Sequence, residues 1–381
     1  LVSQLMDHLN ACWLPACEAP LQPLQAFSER YFQANSPFST YANDWQPIKT
    51  EADSGKPSST RATDAINTAP SLLNAQALRR LLKQPVDVFF RDRLRTRLDT
   101  PNQEIAQEEP FALDALQTYK LVSRMVFAHL KGASIEEVLT PVRLQGHLAL
   151  AGFGEMQQKQ LQAQCQTLSD RLAHLLTDWP NDLHIQTTQY TWDQTVLQAQ
   201  WADGDGIWQQ NAEQTAWLQI DVRAGSVLEG KNNQRMPRVH TLTDVWINHL
   251  MACASGTPTT SWQVGLNGVV QLNAVDATTA LAHLQDLVQA YQAAWQSPLP
   301  IARRAGCAYL LAQHNPERNA LEAAQEVFAD NSRLPGEYDN SEHLKRAFDG
   351  FEAIASDLPA WAHRLYGPMV KAAHLLVDEE A

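Results

Sequence analysis

The spacing of apolar residues changes period once, near residue 180, and that change constrains the fold more than any other feature of the sequence. Before it, SLLNAQALRRLLKQP (71–85), FALDALQTYKLVSRMVFAHLK (111–131) and GEMQQKQLQAQCQTLSDRLAHLLTD (154–178) repeat apolar positions at three and four. This spacing predicts amphipathic helices. Ser71 is the candidate N-cap of the first helix, Pro85 its stop, and Trp179-Pro180 ends the third. From 183 to 228 the pattern alternates through LHIQTTQYTW, TVLQAQWA, GIWQQ and AWLQIDVRAGSVL, with turn signals at Asp203-Gly204-Asp205-Gly206 and Gly225. Alternation of this kind predicts an antiparallel meander of three to five strands. A helix over 242–255, a short strand over 261–272, a helix over 276–296 and a tail ending in helix at 359–377 follow. The order gives an α/β, or α+β, layout around one sheet.

Upstream, LVSQLMDHLNACWL has helical spacing, and residues 23–45 are rich in aromatics and turn formers. The stretch KTEADSGKPSSTRATDAINTAP, at 49–70, has almost no large apolar residue and reads as a linker or exposed loop. No apolar run reaches the roughly 18–20 residues of a membrane span. The start lacks an initiator Met, a basic segment and a cleavage site, which suggests a piece of a longer chain and argues against a signal peptide. Cys12, Cys17, Cys165, Cys253 and Cys307 are odd in number and scattered. They read as reduced, buried thiols of a cytoplasmic protein rather than a disulfide framework or a zinc site. The net charge of −13 argues against a broad DNA-coating surface, because phosphate contact rewards basic proteins. Contact with DNA therefore requires a local basic surface or partner subunits.

No GxxxxGK[ST], GxSxG, HExxH or HxE…CxxC occurs, so the corresponding ATPase, hydrolase, metalloprotease and deaminase chemistries lack support. One constellation bears on catalysis. Asp221 and Arg223 stand two apart in LQIDVRAG. A strand with that spacing places both side chains on one face. A magnesium-dependent nuclease of the restriction-endonuclease type needs an acid on one strand and a D/E-x-K pair on the next. The carboxylates hold Mg²⁺ and the Lys orients or deprotonates water. Here Arg223 replaces the Lys, and Arg stays protonated. The preceding strand, 196–203, offers Gln198 and Gln200 where an acid is needed, and Asp203 falls in the turn. The pair reads as a degenerate remnant or a rim salt bridge, with no metal site.

Three groups are candidates for DNA contact. Arg91, Arg93, Arg95 and Arg97 alternate in FFRDRLRTRLD, so an extended segment would line them on one face. They would either track a phosphate backbone or form a solvated face balanced by Asp87, Asp92 and Asp99. Arg223, Lys231, Arg235 and Arg238 lie in a polar stretch opposed only by Glu229. Trp192, Trp201, Trp208 and Trp217 alternate along the meander, Trp201 and Trp208 being the candidates for stacking on unpaired bases. Packing on the sheet face is the other reading.

In order along the chain, PLQAFSERYF with SPFSTYANDW, LKQPVDVFFRDRL with EEPFALDALQTYKL, AGFGEMQQKQLQ, LTDVWINHLMACASG, YQAAWQSPLPI, PGEYDNSEHLKRAF and LYGPM resemble the gamma-subunit family of exodeoxyribonuclease V. The ordered blocks span roughly residues 23–370. The resemblance implies that 1–48 ends a helicase-like region, 49–70 links, and 71–381 is the family's C-terminal domain. That domain would have an inactivated restriction-endonuclease-like (PD-(D/E)xK-type) fold, a central mixed sheet flanked by helices. It implies no catalysis by this chain, whose partners would be the beta subunit (RecB, helicase and nuclease) and the alpha subunit (RecD, helicase). ATP and Mg would be used by those partners, with no cofactor in this chain. Duplex, forked and single-stranded DNA would be its substrates in double-strand break repair and recombination, without a membrane. Chi recognition would sit mainly upstream. Residues 196–220 and 224–240 are candidates for the strand-separating element. An active Mg-dependent nuclease and a pure protein adaptor are the alternatives.

Overall fold

The computed structural model describes residues 2–12, 21–33, 35–38, 40–41, 45, 69–98, 113–130, 132–202, 206–230, 235–315, 318–329 and 335–376. The chain divides into two compact units, 1–63 and 64–381. In the first, α1 (Val2–Cys12) is an exposed helix, and a 3-10 turn spans Glu29–Tyr31. Phe38 is buried there, edge-on to Tyr31, beneath the Arg30 guanidinium. The predicted linker over 49–70 lies outside the described residues except at its last two positions.

The second unit opens with β1 (Leu72–Asn74) and α2 (Ala75–Lys83). The N-cap is Asn74, whose side chain accepts the Ala77 N–H, and not Ser71. Residues 72–74 are drawn into strand by parallel pairing with 196–198. Helix α2 ends before Pro85, which opens α3 (Pro85–Asp87) and a π-helical turn over Val88–Arg93. The arginine-rich segment therefore coils where alternation predicted an extended strand. Burial of Val86, Val88 and Phe90 and the four-residue Asp87–Arg91 ion pair favour the helical form.

Three helices follow: α4 (Ala115–Leu130), α5 (Ile135–Leu144) and α6 (Ala151–Leu175). The alternating region then supplies β2 (Asn181–Asp182), β3 (Gln186–Trp192), β4 (Thr195–Trp201), β5 (Ile207–Gln210) and β6 (Trp217–Val222). These strands do not form one meander. Strands β3 and β4 pair with β1 in a three-stranded sheet, whereas β2, β5 and β6 join a second sheet. The split falls at the turn after Trp201, where Ala202 and Gly206 both have positive φ. A short hairpin pairs β7 (Leu228–Glu229) with β8 (Met236–Pro237).

Next come α7 (Thr243–Ala254), β9 (Thr259–Gly265), β10 (Gly268–Leu272) and α8 (Ala277–Gln296). The single strand expected over 261–272 is thus a hairpin, folding at Leu266-Asn267. Then follow α9 (Arg303–Gln313), α10 (Ala320–Phe328), α11 (Glu342–Ala347), α12 (Glu352–Ala355), α13 (Leu358–Leu365), α14 (Gly367–Ala372) and β11 (Ala373–Leu376). The tail expected as helix breaks because 373–376 pairs antiparallel with β10, adding an edge strand.

The larger sheet runs β11-β10-β9-β6-β5-β2 and is mixed: β6 and β9 are parallel, their neighbours antiparallel. Its two faces pack against different helices. Leu218, Ile220, Val222, Val264 and Val269 join α4, α5 and α6 in one core. Val270 and Leu272 join α2, α7 and α8 in the other. Within that second core α7 packs against the sheet, buried almost all round as a central helix must be. This is the α+β class with a mixed sheet between helices. Cys165, Cys253 and Cys307 are buried free thiols, Cys12 is exposed, and Cys17 lies outside the described residues. No described helix is long and apolar enough to cross a membrane.

Candidate functional site

Strand β6 alternates, and its two faces differ in kind. Leu218, Ile220 and Val222 enter the apolar core under α4–α6, while Gln219 and Asp221 point to the opposite face. The parallel register sets Gln219 beside Ser261 and Asp221 beside Gln263. The result is a buried polar row under α7. Such a row is tolerated only when its members bond to one another. They do: Ser261 Oγ donates to Gln219 Oε1 at 2.9 Å and lies 2.9 Å from His249 Nδ1, and His249 Nε2 lies 3.1 Å from the Asn273 carbonyl. Burial pushes the His249 pKa down to about 4, opposed by the Asn273 carbonyl. The imidazole is neutral at physiological pH.

At the open end of this row sits Asp221. Its Oδ2 accepts a hydrogen bond from Gln263 Nε2 at 2.8 Å, and Gln263 Oε1 accepts from Thr241 Oγ1 at 2.8 Å. Burial raises the Asp221 carboxyl above the usual carboxylate range, an effect resisted by the Gln263 bond and by Arg223 and reinforced by Asp244. Asp221 is half-buried, and its direct hydrogen-bond partner is an amide. Arg223 lies one residue beyond β6, donates its backbone N–H to the Val264 carbonyl at 2.8 Å, and holds its guanidinium 6.0 Å from the Tyr119 ring centre.

Asp221 lines a cleft of about 1130 Å³ with Gln198, Gln200, Arg79 and Lys83. One wall is α2, which presents Arg79, Arg80 and Lys83. Arg79 donates to Asn248 Oδ1 at 2.5 Å, Arg80 pairs with Asp92, and Lys83 reaches Asp244 at 2.6 Å. Gly206 makes the β5–β6 approach beside Asp221 possible: its φ is +100°, and a Cβ there would sit 2.7 Å from the Ile220 carbonyl oxygen.

The donor set around Asp221 does not suit magnesium, which prefers carboxylate and other hard oxygen ligands in octahedral array. An amide N–H points at Asp221 where a second carboxylate would be needed, and Asp244 is engaged by Lys83. Among the described residues no three His, Cys, Asp or Glu side chains converge.

The candidate DNA contacts are scattered. Arg91 pairs with Asp87 at 3.0 Å, and Arg93 donates to the Trp295 and Gln296 carbonyls at 2.9 and 2.7 Å. Arg95, with φ 51°, and Arg97 are exposed, so the four share no extended face. Trp201 and Trp208 are 2% and 5% exposed and cannot stack on a base; alternation turned them into the core. Trp192 and Trp217 are half-buried. Lys231 lies outside the described residues, Arg235 is exposed, and Arg238 approaches Glu229 at 3.8 Å. Sequence reasoning missed Gln219, Gln263 and the cleft wall of α2. Only the LRRLLK run hinted at the last.

Two comparisons bear on this site. The family model for the RecC C-terminal domain matches residues 70–314. The RecBCD enzyme subunit RecC of Escherichia coli (strain K12) is 24% identical over 286 residues, covering 74% of this chain and 23% of the relative. The RecBCD enzyme subunit RecC of Haemophilus influenzae is 24% identical over 198 residues, covering 48% of this chain and 17% of the relative. The chain thus spans less than a quarter of the length of either relative.

Proposed function

The chain belongs to the RecC C-terminal domain family, and from that membership we propose that it is the non-catalytic C-terminal part of a gamma subunit in a RecBCD-type helicase and nuclease. Its work is architectural: it helps split duplex DNA, guides the separated strands and holds the beta (RecB) and alpha (RecD) subunits during break repair and recombination. The protein acts in the cytoplasm, and ATP and Mg are used by the partner subunits. Residues 1–48 end the helicase-like region, 49–70 link, and 71–381 form the nuclease-like domain.

The observation that carries the reading is the environment of Asp221. A carboxylate on a central strand opens into a cleft, as an endonuclease-like fold requires, yet Gln263 bonds to it in place of a second acid. The mixed sheet, with β6 joined through α7 to the parallel strand β9 and helices on both faces, suits that fold. Such a site offers hydrogen bonds and charge to DNA but no activated water. Leu144, Leu150, Phe153 and Met156, exposed around the α5–α6 corner, suit contact with protein.

The test is site-specific photocrosslinking. A photoreactive residue replacing Gln200, exposed on the cleft wall, is expected to crosslink to one strand of a forked DNA in the assembled complex. Crosslinks to protein alone would reduce the domain to an adaptor.

A further inference from the structure

Beside Asp221, four guanidinium groups from three segments of the chain act on one imidazole. We propose that Arg223, Arg238, Arg303 and Arg304, grouped about His240, form a phosphate-binding patch that grips the backbone of single-stranded DNA beside the cleft. The inference rests on the reading of the chain as a DNA-handling domain and assigns that contact to particular side chains.

The patch is assembled by packing. Helix α9, which opens with Arg303 and Arg304, packs on the 3-10 turn Val239–Thr241 that Arg238 precedes, and Arg223 lies one residue beyond β6. Burial, and then the charges of Arg303, Arg238, Arg304 and Arg223, push the His240 pKa down to about 3, so the imidazole adds no positive charge. Among the described residues three carboxylates oppose the four cations, the first being Asp221, whose charge is favoured by Arg223. Glu337 is committed as a helix cap, accepting the Arg304 and Ala305 N–H groups at 2.8 and 3.2 Å. Glu229 lies 3.8 Å from Arg238 and is itself pushed by burial toward its neutral form, against the pull of Arg238, Arg304 and Arg318.

Among the described residues, the Nε atoms of Arg223 and Arg303 are buried without a hydrogen-bond partner, whereas that of Arg238 faces the Glu229 carboxylate at 3.8 Å. A buried guanidinium donor without an acceptor is costly. Two in one cluster call for an anion, and the planar donor fork of Arg matches phosphate oxygens. Arg303 and Arg304 also line a recess of about 190 Å³ with Lys83, Gln84 and the capping Glu337. Lys83 and Gln84 line the cleft of Asp221 as well, so the recess and the cleft adjoin. A space of that size takes a sugar-phosphate unit and not a duplex. Contiguity with the cleft favours a strand running along both.

The experiment titrates a fluorescein-labelled dT oligonucleotide with the full-length protein across a salt series, reading anisotropy. R303Q/R304Q is expected to weaken binding about tenfold and to flatten the log K against log salt slope by about 1.4, twice the ~0.7 lost per single-strand phosphate contact. R303K/R304K should keep the slope. The α9 cap survives either change, because Glu337 bonds to backbone N–H groups. R238Q, remote from that cap, should flatten the slope by about 0.7 and serves as the test if the double variant fails to fold. Unchanged affinity and slope in R303Q/R304Q, with binding weakened in K83Q, would overturn the patch and leave the DNA-handling domain intact. Absence of binding by the unaltered protein would sink both. Loss of subunit assembly with DNA binding unchanged would assign the arginines to an acidic protein surface, and so overturn the proposal.

Discussion

Asp87→Ala is expected to cost about 3–5 kcal/mol of stability, the penalty for breaking a buried ion pair by removing one partner. Asp87 is 1% exposed and serves two donors, an imidazole and a guanidinium: its Oδ1 lies 2.8 Å from His343 Nδ1, and its Oδ2 lies 3.0 Å from Arg91 Nε. The Leu98 N–H donates to His343 Nε2 at 3.2 Å, which places the ring proton on Nδ1, facing Asp87. Phe90 stacks on the same imidazole at 5.1 Å. One carboxylate thus ties α3 and the π-helical turn to α11, 256 residues away. Its removal strands a fully buried imidazole donor and a guanidinium. Urea unfolding gives the value, and Asp87→Asn should recover part of the loss by accepting the imidazole proton. A loss below about 1 kcal/mol, the worth of an exposed pair, would show that the tether contributes little.

Trp201→Ala is expected to cost a similar amount, about 3–5 kcal/mol, because it removes a large buried side chain and leaves a cavity. Trp201 sits at the end of β4 with its ring 6.0 Å from that of Trp217, inclined at 50°. Trp201→Phe keeps most of the apolar area and should lose far less. It should leave oligonucleotide affinity unchanged, since no face of the ring is open to a base. A large drop in DNA affinity for a Trp201→Phe protein that melts normally would restore the stacking role that alternation first suggested for this residue.

Those two residues show where the sequence was readable and where it was not. Period gave α4, α6, α7 and α8 because each carries enough apolar positions to reveal its own geometry. The Arg91–Arg97 alternation misled because charge spacing is a weak signal. The burial of Val86, Val88 and Phe90, which coils the segment, becomes visible only once α2 and α8 pack on it. Division of the alternating region between two sheets depends on Leu72–Asn74 pairing with Val196–Gln198, a contact across more than a hundred residues that no local pattern records. Strand β11 is hidden for the same reason: its partner β10 lies far upstream. The D-x-R spacing at Asp221 was legible, whereas its surroundings were not. Gln219 and Gln263 are polar residues on a buried face, and only the parallel register of β6 and β9 reveals that amides and a hydroxyl occupy the row. Arg303 and Arg304 stood in the sequence as an unremarked pair until α9 met the 239–241 turn.

The central claim is that this domain meets DNA without cutting it, and digestion tests it most directly. Linear duplex and single-stranded DNA are incubated with the purified protein, free of partner subunits, in Mg²⁺ or Mn²⁺, with and without EDTA, beside an Asp221→Asn variant. The expected result is no EDTA-sensitive cleavage by either protein, with DNA still bound. Cleavage that needs the metal and disappears in Asp221→Asn would mean that Asp221 serves a working nuclease.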